Sequence, residues 1–270
     1  MRRSKDGQSD PVKAPAAVRQ AMLARTVVRD GFLSVARIAP EFGVSGMTIR
    51  RDLEALEQKG VLQRTHGGAV ARRQRQGETY EAEEPLFRQR EQRHAAAKAR
   101  IAAAAAALMA PGETIALDVG TTVLALAREL AGRADLNIFT NSLPCAIVLA
   151  AGRSSVQLLG GRLRGPELAV VGPMAVAQVG QYHFDRVFIG VAGVTSEGFF
   201  DYALEDTEVK RALIAHADEV VVLCDASKFQ RRSLAKVCDL RDCRILVTDA
   251  RPRGRLASRL RTAHVDLLIA

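Results

Sequence analysis

The sequence lacks any apolar run long enough to cross a bilayer. Its longest, residues 101–111, is mostly alanine and falls short of the roughly 20 apolar residues that a spanning helix needs. The opening Met1-Arg-Arg-Ser-Lys-Asp-Gly7 carries charge with no apolar segment behind it, so no secretory signal is expected. The four cysteines, Cys145, Cys224, Cys238 and Cys243, include no Cys-x-x-Cys pair, and none stands near a histidine at zinc-ligand spacing. Cys224, inside Val220-Val-Val-Leu-Cys-Asp225, reads as a free buried thiol. These absences predict a soluble, reduced, cytoplasmic protein that meets no membrane, with no metal site and no cofactor.

What the chain does have is positive charge gathered at one end. Lys plus Arg number 39 against 30 Asp plus Glu, a net charge of +9, of which residues 1–75 carry +8 and residues 76–270 only +1. Polyanions bind such basic modules, although a solvated charged face has the same composition. With 270 residues and 48% hydrophobic content, the chain can build one large or two ordinary domains. The predicted divisions are a disordered arm over 1–17, a basic head over 18–73, a linker over 74–93 and a second domain over 94–270.

In the head, Val18, Met22, Leu23 and Val27 predict the apolar stripe of a first helix ending at Gly31. Ser34 caps a short second helix whose Val35, Ile38, Ala39 and Phe42 share a face, and Pro40 near its end should tighten the turn without breaking the motif. Gly43-Val44 makes a tight turn, and Ser45 caps a third helix running to about Lys59. Ala39, Gly43, Val44 and Ile49 stand where a helix-turn-helix needs a small residue, a turn glycine and apolar anchors. Ile49, Leu53 and Leu56 face inward, whereas Met47, Arg51, Glu54 and Gln58 point out with Thr48 and Arg50 on the flanks. Residues 61–70 then form a glycine-tipped hairpin, the wing of a winged helix, which puts Arg64 and His66 beside a duplex; His66 also reads as an ordinary turn histidine. In that geometry Ser45, Thr48, Arg50 and Arg51 enter the major groove, Arg51 best placed for a base edge and Arg50 for phosphate or base.

Beyond an alanine-rich helix over 94–110, the period changes. β-Branched runs at 114–119, 136–140, 156–159, 186–193, 219–224, 245–248 and 265–269 alternate with helical stretches. That is the signature of a mainly parallel, Rossmann-like α/β sheet covered on both faces. Ligands of such sheets bind at the carboxyl ends of strands. Asp118-Val-Gly-Thr-Thr122 leaves the first strand and opens a helix, a place where backbone N–H groups and hydroxyls receive a phosphate, or where Thr121 simply caps the helix. Thr140-Asn141-Ser142, Gly160-Gly161, Asp225-Ala-Ser-Lys228 and Thr248-Asp249 follow later strands; each alone reads as a turn, and together they suggest a polar pocket. Lys228 can neutralise an anion or pair with Asp225. Asp206 reads as a first-turn acid serving the helix dipole.

Ser45-Gly-Met-Thr-Ile-Arg-Arg-Asp-Leu53, Leu56-Glu57, Gly60 and His66-Gly-Gly-Ala69 resemble the N-terminal signature of DeoR/GlpR-type bacterial transcriptional regulators. The likeness continues through Asp118-x-Gly-Thr-Thr122, Thr140-Asn-Ser142, Leu159-Gly-Gly161, Asp225-x-Ser-Lys-Phe229 and Thr248-Asp249, so it covers about residues 18–270. Gln230 stands where a glycine often follows in that family. The resemblance implies a winged helix-turn-helix that binds double-stranded operator DNA, joined to an effector domain related to sugar-phosphate isomerases. It further implies a repressor of a carbohydrate operon, released by a phosphorylated sugar or related metabolite and assembled as a homodimer or homotetramer. DNA contacts fall to Ser45, Met47, Thr48, Arg50, Arg51, Arg64 and His66. Effector contacts fall to Asp118, Gly120, Thr121, Thr122, Asn141, Ser142, Gly160, Gly161 and Lys228.

Two rivals stand beside this reading. A sugar-phosphate isomerase or deaminase with a DNA-binding appendage needs a carboxylate base, yet Phe188-Ile-Gly-Val-Ala-Gly193, where related isomerases carry an acidic turn, holds no acid. An activator or nucleoid-type binder without a small-molecule signal predicts weak sequence preference.

Overall fold

The computed structural model describes residues 16–30, 32–58, 61–65, 67–71, 79–80, 84–165 and 167–270. The chain divides between Gln76 and Gly77 into two compact units.

The first unit runs α1 (Ala16–Asp30), β1 (Phe32–Ser34), α2 (Val35–Glu41), α3 (Gly46–Gln58), β2 (Leu62–Thr65) and β3 (Gly68–Ala71). The strands form an antiparallel sheet in the order β1-β3-β2. Three helices and a hairpin of this order make a winged helix-turn-helix. Its core gathers Leu23, Val27, Leu33, Ile38, Ile49, Leu53, Leu56 and Leu62. One expectation is corrected: Val18 and Met22 point outward, at 51% and 47% exposure, while Arg19 turns in above Leu23 and Val27. Burying an arginine requires a partner, and Asp52 of α3 supplies it, accepting from Arg19 Nε and from Gln20 Nε2 at 3.2 Å. Pro40 sits inside α2, and the chain leaves through Gly43 at φ 61°, with Val44 N–H donating to Ala39 O at 3.1 Å. Gly68 admits no side chain, because a Cβ there would lie 1.8 Å from Leu33 O.

The second unit opens with β4 (Thr79–Tyr80), α4 (Phe87–Gln92) and α5 (Ala95–Ala106), the last shorter than the helix read from the alanine run. It continues through β5 (Thr114–Leu117), α6 (Thr121–Leu130), β6 (Asn137–Thr140), α7 (Leu143–Ala150), β7 (Ser155–Leu158), β8 (Arg162–Arg164), β9 (Ala169–Val171) and α8 (Pro173–Val179). Then come β10 (Phe184–Gly190), β11 (Gly193–Thr195), β12 (Gly198–Asp201), α9 (Leu204–Ala215), β13 (Ala217–Leu223), β14 (Arg231–Arg232), β15 (Ala235–Cys238), β16 (Ile245–Thr248), α10 (Gly254–Thr262) and β17 (Asp266–Ile269). Seven of these strands make one parallel sheet, ordered β17-β16-β13-β10-β5-β6-β7. They are the seven β-branched runs of the sequence. β11, β12 and β15 form a small antiparallel sheet, β8 and β9 pair antiparallel, and β4 pairs with β14.

Alternate residues of the central strands feed separate cores, which is why these strands are apolar throughout. Val187, Ile189, Val220, Val222 and Leu246 join Val209, Leu213, Leu256 and Leu260 of α9 and α10 on one face. Ile115, Leu117, Phe188, Val221 and Leu223 join Ile101, Ala105, Val123, Leu126 and Leu149 of α5, α6 and α7 on the other. The winding reverses between neighbouring β5 and β10, one arm running through β6 and β7 and the other through β13, β16 and β17. Strand ends that part at such a reversal leave a crevice.

Candidate functional site

In the first unit, the exposed face of α3 is built from its own start. Ser45 Oγ accepts from Thr48 N–H at 3.2 Å and lies 3.0 Å from Thr48 Oγ1, so one hydroxyl caps the helix and fixes the Thr48 side chain. Ser45, Met47, Arg50 and Arg51 are exposed, with Met47 at 57%, and Thr48 is half-buried. Neither Arg50 nor Arg51 makes an ion pair among the described residues. Arg64 on β2 is differently placed: its guanidinium faces Glu57 at 3.3 Å and Glu54 at 3.8 Å. His66 lies outside the described residues.

In the second unit, a cavity of about 100 Å³ opens at the β5–β10 crevice. Val119, Gly120, Thr121 and Thr122 form one wall, Gly190, Val191 and Ala192 the floor, and Asp225, Ser227 and Lys228 a third side. Gly120 adopts φ 126°, which turns the chain sharply from β5 into α6, whose first residues Thr121 and Thr122 line the cavity. Gly190 is required for close approach, since a Cβ would come within 2.8 Å of Val119 O. Asp225 Oδ1 accepts from Ser227 N–H at 3.0 Å and shapes the turn that presents Lys228. Lys228 makes no ion pair among the described residues.

Asp118 lies directly behind this wall, fully buried and outside the cavity lining. It accepts from Gly190 N–H at 3.1 Å and from Lys210 Nζ of α9. Lys210 also donates to Gly190 O at 3.0 Å and meets Asp201 at 3.1 Å. Burial opposes the charge on both partners. It lifts the Asp118 carboxyl while Lys210 pulls it back, and for Lys210 the surrounding acids outweigh burial and raise its pKa.

Asn141, Ser142, Gly160 and Gly161 are not among the cavity's lining residues. Asn141 Nδ2 donates to Val170 O at 3.3 Å, and Ser142 Oγ caps α7 through Cys145 N–H at 3.3 Å. Gly160 N–H donates to Gln178 Oε1 at 2.6 Å, and at Gly161 a Cβ would meet Val171 O at 2.8 Å.

The cavity's remaining wall was not visible in the sequence. Glu84, Arg90, Arg93, His94 and Lys98, from the segment around α4 and the start of α5, line it together with Glu167, Asp206 and Lys210. Arg90 pairs with Glu84 at 3.4 Å and with Glu167, and Arg164 pairs with Glu84 at 3.2 Å and with Asp206. Asp206 is thus a buried ion-pair partner in addition to a first-turn acid, which corrects its reading as a dipole acid alone. Burial, followed by the neighbouring Glu167, lifts Glu84 to about 7 against the pull of Arg90 and Arg164. Burial lowers Lys98 to about 8, and its Nζ donates to Arg90 O and to Arg93 O at 2.8 Å. No local pattern pairs residues 42 positions apart, as Arg164 and Asp206 are.

Among the described residues no group of three or more His, Cys, Asp or Glu could hold a metal ion. The four cysteines are free and buried, and burial raises their thiols, Cys145 and Cys238 to about 12. No helix among the described residues is long and apolar enough to cross a membrane.

Comparison with known proteins covers both units. The DeoR-like helix-turn-helix domain matches residues 19–75, and the DeoR C terminal sensor domain matches residues 93–250. The chain is similar to the transcriptional repressor AccR of Agrobacterium fabrum, 32% identical over 87% of this chain and 90% of the relative. It is similar also to the glycerol-3-phosphate regulon repressor of Haemophilus influenzae, 30% identical over 88% of this chain and 91% of that one. Among solved structures, ribose 5-phosphate isomerase A of Methanocaldococcus jannaschii aligns with 49% of this chain and 53% of its own, at 21% identity and TM-score 0.37. With a helix-turn-helix domain and a sensor domain matched in order along its length, the chain belongs to the DeoR family of DNA-binding transcriptional regulators.

Proposed function

We propose that this regulator is a repressor of a carbohydrate-metabolism operon whose hold on operator DNA is set by a small phosphorylated sugar or related metabolite. One observation carries the effector half: the start of α6, Gly120 to Thr122, opens into a cavity at the sheet's reversal point, with Lys228 facing it. Helix N-terminal N–H groups, threonine hydroxyls and an ammonium with no ion-pair partner among the described residues together suit a phosphate. Asp118 supports the wall from behind, and Asn141, Ser142, Gly160 and Gly161 hold the neighbouring turns. The relatives' names, one a repressor and one a repressor of a glycerol-3-phosphate regulon, favour the same class.

Sensing suits this cavity better than catalysis. Moving a proton between carbons needs a carboxylate free to accept it, and the acids lining the cavity are engaged. Glu84, Glu167 and Asp206 pair with arginines, Asp201 with Lys210, and Asp225 with Ser227 N–H. On the DNA side, Ser45, Met47, Thr48, Arg50 and Arg51 form the reading face. A single head buries little surface, so a homodimer or homotetramer reading paired half-sites follows. The division proposed is a head over 18–73 and a sensor over 94–270, with the segment 74–93, which the sequence alone reads as a linker, contributing α4 and the cavity residues Glu84, Arg90 and Arg93 to the second unit.

A thermal-shift series with sugar phosphates, polyol phosphates and inorganic phosphate tests the sensor. A true effector at about 100 times its Kd adds about 2.7 kcal/mol of stability and weakens operator binding. Lys228→Met is expected to lose the shift. If no phosphorylated compound raises the melting temperature, or if the shift survives Lys228→Met, the assignment of this cavity is wrong.

A further inference from the structure

We propose that Arg64 serves DNA binding by neutralising Glu54 and Glu57 of the reading helix and tying the wing to it, and not by donating to a phosphate. Glu57 grips β2 twice: Oε1 accepts Arg64 N–H at 2.8 Å, and Oε2 lies 3.3 Å from Arg64 Nε. β2 is an edge strand of the order β1-β3-β2. Its outward N–H therefore has no strand partner, and a carboxylate from α3 supplies one. Glu54 Oε2 stands 3.8 Å from Arg64 Nη1. One cation thus holds two anions, and all three side chains remain well exposed, at 42% for Arg64, 55% for Glu54 and 38% for Glu57.

The location makes this matter for DNA. Glu54 lies on the exposed face of α3 that carries Met47 and Arg51, one helical turn beyond Arg50 and Arg51. Two bare carboxylates there repel a duplex, and Arg64 cancels half of their charge while fixing the angle at which the wing leaves the helix. Moving Arg64 to a phosphate would gain one contact and return both acids to the polyanion. Arg64 is therefore a positioning residue whose effect passes through Glu54 and Glu57.

The test is a mutant cycle on the full-length protein, using a duplex that the wild-type chain selects from a random-sequence pool. Affinity is read at several salt concentrations for wild type, Arg64→Met, Glu54→Gln/Glu57→Gln and the triple variant. The glutamines keep an acceptor for Arg64 N–H, and the methionine keeps the apolar stem. In the wild-type background Arg64→Met is expected to weaken binding about tenfold, a usual coupling for residues in contact. In the glutamine background the same change should cost less than about twofold, because nothing is left to neutralise. The loss in the wild-type background should also shrink as salt rises, because repulsion by the bared carboxylates is screened, and in the glutamine background the slope should keep its value. An equal loss in both backgrounds, with the slope reduced by about 1, makes Arg64 a phosphate contact and overturns the proposal. No loss in the wild-type background overturns it too. Should Arg64→Met melt the head, Arg64→Gln runs through the same cycle. Effector plays no part in these measurements, so their failure is independent of the sensor reading.

Discussion

Lys210 is a fully enclosed charge of the sensor, its side chain 1% exposed and held by Asp118, Asp201 and Gly190 O. Removing one member of a buried ion pair strands the others without water. Lys210→Met is therefore expected to cost about 3–5 kcal/mol, measured by denaturant unfolding of the full chain, and a second change, Asp118→Asn, should recover part of it. Glu84 gives a pH signature. Its folded pKa of about 7 lies above the ordinary carboxylate value of 4.5, so the folded chain holds a proton that the unfolded chain releases. That contribution is complete below about pH 4.5 and fades as pH rises towards 7. Glu84→Gln should accordingly gain on wild type in melting temperature between pH 5 and pH 8, and a constant difference across that range would place Glu84 among ordinary acids. Arg19 shows why residue-level reading has a limit. A helical wheel of α1 cannot turn an arginine inward, because the reason for it is Asp52, 33 positions away.

At the scale of elements, two helix starts matter most. Ser45 satisfies the third residue's N–H of α3, so Ser45→Ala should destabilise the head by about 1 kcal/mol and weaken operator binding with it, read by melting and by anisotropy. Gly120, at φ 126° and ψ 158°, occupies a region open essentially to glycine alone. Gly120→Ala therefore carries about 1–3 kcal/mol of backbone strain and should abolish the effector shift even where the fold survives. The seven main strands were legible because each is a β-branched run buried on both faces. The reading helix was legible because Ser45, Gly43 and Ile49 each have one local purpose. β4, β8 and β14 were not: Thr79–Tyr80, Arg162–Arg164 and Arg231–Arg232 are short and polar, and only their partners make them strands. The cavity's strand-end wall could be foreseen from turn chemistry. The wall from α4 and α5 could not, since Arg90 and Lys98 sit in helices whose local pattern is ordinary.

At the scale of the whole molecule, the charge asymmetry assigns the work. Residues 1–75 hold +8 of the net +9, so DNA affinity and its salt dependence should reside there. A fragment of residues 77–270 is expected to unfold cooperatively, keep the effector-induced shift and lose binding to DNA, checked by calorimetry and anisotropy. Binding retained by that fragment would sink the division of labour. The reversal of winding has a further consequence. β5 and β10 are hydrogen-bonded neighbours, yet each opens a separate arm of the chain, and their tips meet at one small void. A molecule lodged in it acts as a suture between two wings of one sheet. Amide exchange should then slow together at Val119–Val123 and at Gly190–Ala192, although about seventy residues of chain separate them.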